Sequence, residues 1–300
     1  CHSVTPNGSE KRCYSPDVVA RRGRPRQRPS LSHVPVRCDT ADSDCGAFTR
    51  EMKERQAMAA TNPKYLWWNG RQMPWEEATV HVTDLAWSTV GAVFEGIRGY
   101  WNDEQQELYV FRLREHMERL IDSMKLVRLP LDYTVDELIE ASVELLRAVE
   151  AREDTYLRPL AYSQNSSGKR LSDTSTDLGM LINTNPMPSQ LTSGDAIRVK
   201  VSSWTRISDT VMPPRIKNIS NYRNDQLATM EAKGDGYDNA LLLSPQGKVS
   251  EAPGACVMMV RKGQLVTPPV TDGILESITR DAIMTMARQS LGATVVERSI

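Results

Sequence analysis

Residues 213–256 read PPRIKNISNYRNDQLATMEAKGDGYDNALLLSPQGKVSEAPGAC, and the rest of the chain is organised around them. The stretch offers a lysine, Lys217, after a short apolar turn, and then a tyrosine, Tyr222. The spacing predicts a helix over about 224–233, with Leu227, Ala228, Met230 and Ala232 as its apolar positions and Gly234 as its stop. The apolar run Ala240 to Ser244 reads as a buried strand, and Pro245-Gln246-Gly247 as a turn. Past the turn stands Glu251, followed by Pro253-Gly254-Ala255-Cys256. A lysine on one strand and a carboxylate on a neighbouring one can address two ends of the same flat ligand.

Such a set suits pyridoxal 5'-phosphate. This cofactor needs an unprotonated amine for its Schiff base, which burial and cationic neighbours supply. It needs a carboxylate that holds a proton on the pyridine nitrogen, a phenol beside the ring oxygen, and a cation or helix N-terminus for the phosphate. Lys217, Glu251 and Tyr222 fit the first three roles. A lysine taken alone is most often a solvated surface charge, so the surrounding chain has to decide.

Four further strings do so, in order: Val93-Phe94-Glu95-Gly96-Ile97-Arg98, Tyr156-Leu157-Arg158-Pro159, Ser202-Ser203-Trp204, and Gly273-Ile274-Leu275-Glu276-Ser277-Ile278-Thr279-Arg280. With the Lys217 stretch they resemble the class IV (fold type IV) pyridoxal-phosphate aminotransferases, and among these the branched-chain amino acid aminotransferases, over about residues 64–298. The resemblance implies an α/β protein built from a small α+β domain and a larger pseudo-barrel domain. It implies transamination of Leu, Ile or Val with 2-oxoglutarate, at sites that lie on the interface of a homodimer or higher homo-oligomer. Lys217 is then the catalytic lysine, and Tyr222 and Glu251 tune the ring. Arg98 with Ile278 and Thr279 holds the phosphate. Tyr156 and Arg158, two apart on a strand and so on one face, grip a substrate carboxylate. Phe94 and Trp204 belong in or beside the apolar substrate pocket. The bland alternatives are an exposed cation for Arg98, an N-cap for Ser277, an interface ion pair for Arg158 and core packing for Phe94 and Trp204.

Two departures touch the substrate side. The family usually carries a His-Tyr-Gly-type segment before the Phe-Glu-Gly-Ile-Arg string, whereas Trp87-Ser88-Thr89-Val90-Gly91 stands here, which puts Thr89 at the pocket tyrosine's place. After Glu251 the family has Gly-Glu-Asn past a small residue, whereas this chain has Ala252-Pro253-Gly254-Ala255-Cys256. The rivals within the fold are a D-amino acid or (R)-amine transaminase and an aminodeoxychorismate-lyase-like enzyme. From another class, the rival is an inactive fragment that only binds cofactor. Family members continue beyond the point where this sequence stops in the strand pattern Thr294 to Arg298, so the second domain is expected to be incomplete.

The remaining chain is consistent with a soluble enzyme. A net charge of −1 over 300 residues argues against a nucleic-acid partner. No apolar run approaches the roughly 18 residues of a membrane span. Residues 1–57 are rich in Arg, Pro and Ser without apolar periodicity, which predicts disorder. Cys1, Cys13, Cys38 and Cys45 lie there at no zinc-site spacing, so no metal is expected. The leader is read as upstream sequence without function, with Met58-Ala59-Ala60 as a natural start, against the alternative of an organellar transit peptide. The location expected is the cytoplasm. Strands are expected over 65–71 with an Asn-Gly turn, over 79–82, over 98–100 and over 108–111. Helices follow, one through Leu113, Met117, Leu120, Ile121 and Met124, the next opened by a Thr134–Glu137 capping box. These make up a small domain over 64–185, with His81 and His116 read as structural. An exposed loop over 163–176, a linker over 186–195 and a larger domain over 196–300 complete the expectation. The larger domain opens on a strand at Ile197–Val201 and ends with a helix over 278–291.

Overall fold

The structure is a computed structural model that describes residues 62–85, 89–164, 177–189 and 196–300. All of these belong to one compact unit spanning residues 57–300. The Arg-, Pro- and Ser-rich leader, residues 165–176 of the expected loop and residues 190–195 of the expected linker lie outside the described residues.

The amino-terminal half builds an antiparallel sheet. Strands β1 (Tyr65–Trp68) and β2 (Arg71–Pro74) turn at Asn69-Gly70, both with positive φ (48° and 91°), as an Asn-Gly hairpin requires. The sheet is completed by β3 (Val93–Phe94), β4 (Ile97–Asn102), β5 (Glu107–Val110), β6 (Thr155–Gln164) and β7 (Asp177–Pro186). Its order is β2-β1-β7-β6-β4-β5, with β3 paired to β6. Helices α1 (Leu113–Leu126) and α2 (Val135–Ala148) pack on one face. Met117, Leu120 and Met124 of α1 and Leu138 and Leu145 of α2 are fully buried there. The capping box is present in both directions, Thr134 accepting from the Glu137 amide and Glu137 from the Thr134 amide.

The two-residue alternation of the strands sorts the site. On β6, Thr155, Leu157, Pro159 and Ala161 face the helices, while Tyr156, Arg158, Leu160 and Tyr162 lie on the opposite face. On β4, Ile97 and Gly99 point inward and Arg98 outward, and Arg98 is the register partner of Tyr156. One expected strand is absent. Residues 79–82 lead into a 3-10 turn, Val82–Asp84, where the His81 ring accepts from the Thr83 amide; a local side-chain bond of this kind competes with a strand ladder.

In the carboxy-terminal half, β8 (Val199–Thr205) and β9 (Asn239–Leu243) pair in parallel through helix α3 (Ile219–Gly234). A parallel pair needs such a crossover. A second small sheet joins β10 (Met259–Arg261), β11 (Gln264–Thr267) and β12 (Val295–Glu297), with helix α4 (Ile278–Leu291) between β11 and β12. Ser277 caps α4 by accepting from the Arg280 amide, and Gly292 ends it at φ 58°, within the bounds the sequence indicated.

Helix α3 starts at Ile219 rather than near 224. The Asn218 side chain caps it by accepting from the Ser220 amide at 2.8 Å, which puts Tyr222 on the first turn instead of in a loop. Strand β8 runs two residues later at its start and four at its end than expected; past a register shift after Val201 it pairs again, Thr205 with Leu243 of β9. Among the described residues no helix is long and apolar enough to cross a membrane.

Candidate active site

Lys217 is not on a strand. It lies in the extended residues just before α3, stapled from three sides. Its carbonyl accepts from the Phe94 amide of β3 at 3.0 Å, and the next residues bridge to Ala92 and Val93. Its own amide reaches Ser123 Oγ of α1 at 3.4 Å. The buried Asn221 side chain holds the preceding turn, donating to the carbonyls of Ile216 at 3.1 Å and Pro213 at 3.2 Å. The lysine backbone is therefore held between the two halves of the molecule, and its side chain points into a polar cavity.

That cavity is lined by two sets of side chains, Lys217, Tyr222, Asp225 and Glu251 in one and Arg119, Ser277, Ile278 and Thr279 in the other, with Gly96, His116, Cys256 and Leu275 also in its wall. Lys217 Nζ is 2.5 Å from the Tyr222 hydroxyl and 4.7 Å from the centre of the Phe94 ring, which itself packs edge-on against Tyr222. Burial pushes the lysine down to about 8, with Glu95 opposing and Arg119 assisting. Burial raises the Tyr222 phenol, and the Glu251 and Asp225 carboxylates raise it further.

Glu251 is buried, its Oε1 on Arg206 at 2.5 Å and its Oε2 accepting from the Leu275 amide at 3.1 Å. Burial raises its pKa, and Arg206 pulls against that shift. In the second set, the first amides of α4 have no intrahelical acceptor and carry the positive end of the helix dipole. Arg119 of α1 stands there, anchored by donating to the Glu276 carbonyl at 2.7 Å and to both oxygens of Glu95 at 2.6 and 2.8 Å. Glu95 is fully buried, and its second neighbour is His116 Nδ1 at 2.7 Å. Burial pushes the Glu95 carboxyl up, but the hydrogen bonds from His116 and Arg119 outweigh it, so Glu95 is held ionised below the usual range.

The structure thus brings together five of the residues expected from sequence, Lys217, Tyr222, Glu251, Ile278 and Thr279, with Phe94 against the first two. It separates others. Arg98 does not line the cavity; the pleat of β4 turns it to the face of Tyr156, with its guanidinium 5.7 Å from the Tyr100 ring. The arginine beside Ile278 and Thr279 is Arg119. Trp204 is 45% exposed at the end of β8 and lines none of the polar cavity. Tyr156 and Arg158 share a face as expected, next to the cavity rather than in it, with Arg158 exposed. A larger, mainly apolar groove lined by Leu66, Trp68, Leu85, Thr89, Leu160 and Tyr162 lies on that same side of the sheet and carries no lysine.

Sequence reasoning missed Glu95, Arg119, Asp225 and Arg206, and it assigned His116 a structural part. Two signals were available. Glu95 occupies the inward position between Val93 and Ile97, and His116 and Arg119 sit three apart against the apolar stripe of α1. A charge where the periodicity demands an apolar residue needs a partner. No such pattern marks Arg206.

Gly96 is required by close approach. A methyl group on it would overlap the Tyr156 hydroxyl and sit 2.8 Å from the ring carbon Cζ. Gly96→Ala is expected to destabilise the fold by about 1–3 kcal/mol, the range for overpacking, as read from the urea denaturation midpoint. An unchanged midpoint would mean that Tyr156 swings away freely.

The fold and this cavity place the protein in a family. Residues 92–300 match the class IV amino-transferases, and the chain belongs to that family. It is an aminotransferase of fold type IV, a class that acts on amino acids and 2-oxo acids. Among its relatives, the probable branched-chain-amino-acid aminotransferase of Aquifex aeolicus is 37% identical over 237 residues, covering 79% of this chain and 76% of its own. The solved structure of the branched-chain amino acid aminotransferase from Thermobaculum terrenum in its PLP form superposes with a TM-score of 0.77 at 52% identity, covering 80% of this chain and 78% of that one. The branched-chain aminotransferase from Thermoproteus uzoniensis with norvaline gives 0.73 at 41% identity, over 79% and 78%.

Proposed function

We propose that this chain transfers the amino group of Leu, Ile or Val to 2-oxoglutarate with pyridoxal 5'-phosphate as cofactor. The observation that carries the reading is the single cavity joining a lysine of lowered pKa to anion-binding groups. Its donor set fits the cofactor group by group. Arg119 and the α4 N-terminus at Ile278 and Thr279 would hold the phosphate, Glu251 the ring nitrogen and Tyr222 the ring oxygen. When bound, the cofactor supplies an aldehyde that joins to amines and a ring that withdraws electrons from the carbon beside them.

The residues of the chain divide the remaining work. Lys217 Nζ takes a proton from the substrate carbon and returns it one position along, as a base with a pKa near working pH should. Tyr222, protonated throughout the physiological range, accepts from Lys217 Nζ and so fixes where that nitrogen sits, which leaves its own proton for the ring oxygen. Glu251 holds a proton at the ring nitrogen. Tyr156 and Arg158 would receive the substrate carboxylate and Phe94 its apolar side chain. The reading takes 64–185 as the small domain and 196–300 as the larger cofactor-binding domain. It also takes the working form to be a homodimer or higher homo-oligomer in the cytoplasm. The names of the relatives support the substrate class, and their coverage supports the fold.

A panel of amino donors with 2-oxoglutarate tests the substrate. Turnover with Leu, Ile and Val well above Asp, D-Ala and (R)-1-phenylethylamine is expected; preference for a D-amino acid or an (R)-amine would move the assignment within the family. The pH response follows from the lysine. Lys217 is a base with a depressed pKa, so it sheds its proton as the pH rises through about 8, and only the neutral amine attacks an aldehyde. The rate at which the cofactor-free protein captures pyridoxal 5'-phosphate should climb with pH and level off above about 8, as followed by stopped-flow absorbance. A flat profile, or one still climbing to the pKa of an ordinary lysine, would contradict this.

A further inference from the structure

Arg206 leaves the end of β8 and turns inward, its side chain only 3% exposed. Its guanidinium meets three acceptors: Asp225 Oδ1 of α3 at 2.6 Å, Glu251 Oε1 at 2.5 Å and the Gly273 carbonyl at 3.3 Å. The Leu275 amide takes the other Glu251 oxygen. A shared guanidinium and a backbone amide therefore fix both oxygens of the carboxylate.

The charges in this cluster do not balance. Asp225 and Glu251 bring two negative charges and Arg206 one positive, which leaves one negative charge in a buried place where an unpaired charge is costly. The other titratable groups that face Glu251 are Lys217, Tyr222 and Cys256; Lys217 supplies a balancing charge only below about 8, while its amine is free and protonated. Arg119 and His116 are engaged by Glu95. A protonated ring nitrogen is the charge that would complete the set. Against this stands the desolvation of Glu251, which favours its neutral form, and a neutral Glu251 cannot hold a proton on the ring.

We propose that Arg206, aimed by Asp225, is a positioning residue that keeps Glu251 ionised and oriented toward the cofactor's ring nitrogen; the inference rests on the cofactor reading above. Asp225 aims Arg206, and its own charge acts on Glu251 in the opposite sense, raising its pKa. The arrangement makes the ring proton depend on three side chains from three separate segments, not on the carboxylate alone.

A mutant cycle in the cofactor-loaded protein tests this. Arg206→Gln removes the charge and keeps a donor, whereas Arg206→Lys keeps the charge and loses the fork. Two quantities are read, the dissociation constant for pyridoxal 5'-phosphate and the pH midpoint of the bound cofactor's visible absorbance change. Arg206→Gln is expected to raise the dissociation constant roughly tenfold or more, as loss of one partner from a buried charge pair should. It should also move the midpoint to higher pH, because loss of the ring's positive charge lets the Lys217 nitrogen keep its proton longer. Arg206→Lys should return both readings toward wild type. In a Glu251→Gln background the Arg206→Gln change should have little further effect, since coupled groups are not additive. Asp225→Asn, nearly isosteric and so the safer variant for folding, should weaken cofactor binding in the wild-type background but not in Glu251→Gln. A dissociation constant within twofold of wild type and an unmoved midpoint would overturn the proposal, as would equal shifts with and without Glu251. Wild-type protein that takes up no cofactor would overturn the cofactor reading and this inference together.

Discussion

Lys217→Ala is expected to lower amino transfer by at least about 10²–10⁴-fold, the contribution usual for a positioned general base. The loss should exceed that range, because the same nitrogen both captures the cofactor and moves the proton. The cause is geometric. Bonds to Phe94 and Ser123 and the Asn221 clamp on the preceding turn hold the Lys217 backbone, and Tyr222 fixes its Nζ. Water entering the space left by the side chain would lack both the basicity and the anchoring. Single-turnover measurements of the cofactor spectrum after mixing with leucine would read the effect. A variant slowed less than tenfold would mean that another group moves the proton.

The second large effect is expected at Arg119. Arg119→Met removes the cation beside the α4 N-terminus and leaves Glu95, fully buried, with His116 as its remaining side-chain hydrogen-bond partner. Breaking a buried pair by deleting one partner costs about 3–5 kcal/mol, so the denaturation midpoint of the cofactor-free protein should fall markedly. The loss of a charged hydrogen bond to phosphate, about 1.5–3 kcal/mol, should weaken cofactor binding tenfold or more. Arg119→Lys should restore part of the second effect and less of the first, since a lysine reaches phosphate as a point charge but cannot fork onto both oxygens of Glu95. Cofactor affinity unchanged in Arg119→Met would return the phosphate role to another cation and reopen the case for Arg98.

These two residues also mark how much of the site was legible in the sequence. Lys217, Tyr222 and Glu251 could be read because their chemistry is specific and the surrounding strings occur in order. Ile278 and Thr279 could be read because a serine cap and an apolar period announce where α4 begins. Arg119 was passed over, because the sequence offered Arg98 at the end of a recognised string and the pair His116 and Arg119 on α1 was not read as a sign of a buried charge. The start of α3 was misjudged for a local reason. Asn218 carries the cap, but the expected helix was begun at the next apolar cluster. Trp204 was expected in or beside the apolar substrate pocket because it adjoins a recognised string, and the structure leaves it half-exposed. Arg206 and Asp225 act through contacts between separate segments, which leave no periodic trace, whereas Glu95 showed only as a charge at an inward strand position.

The central claim is that the cavity at Lys217 is a pyridoxal-phosphate site with this lysine as the attachment point. Incubation with pyridoxal 5'-phosphate, reduction with borohydride and peptide mapping test it most directly. The account predicts a single phosphopyridoxyl label, on Lys217, lost in Lys217→Ala and weakened in Arg119→Met. Label on a different lysine, or bound cofactor with no label at all, would contradict it.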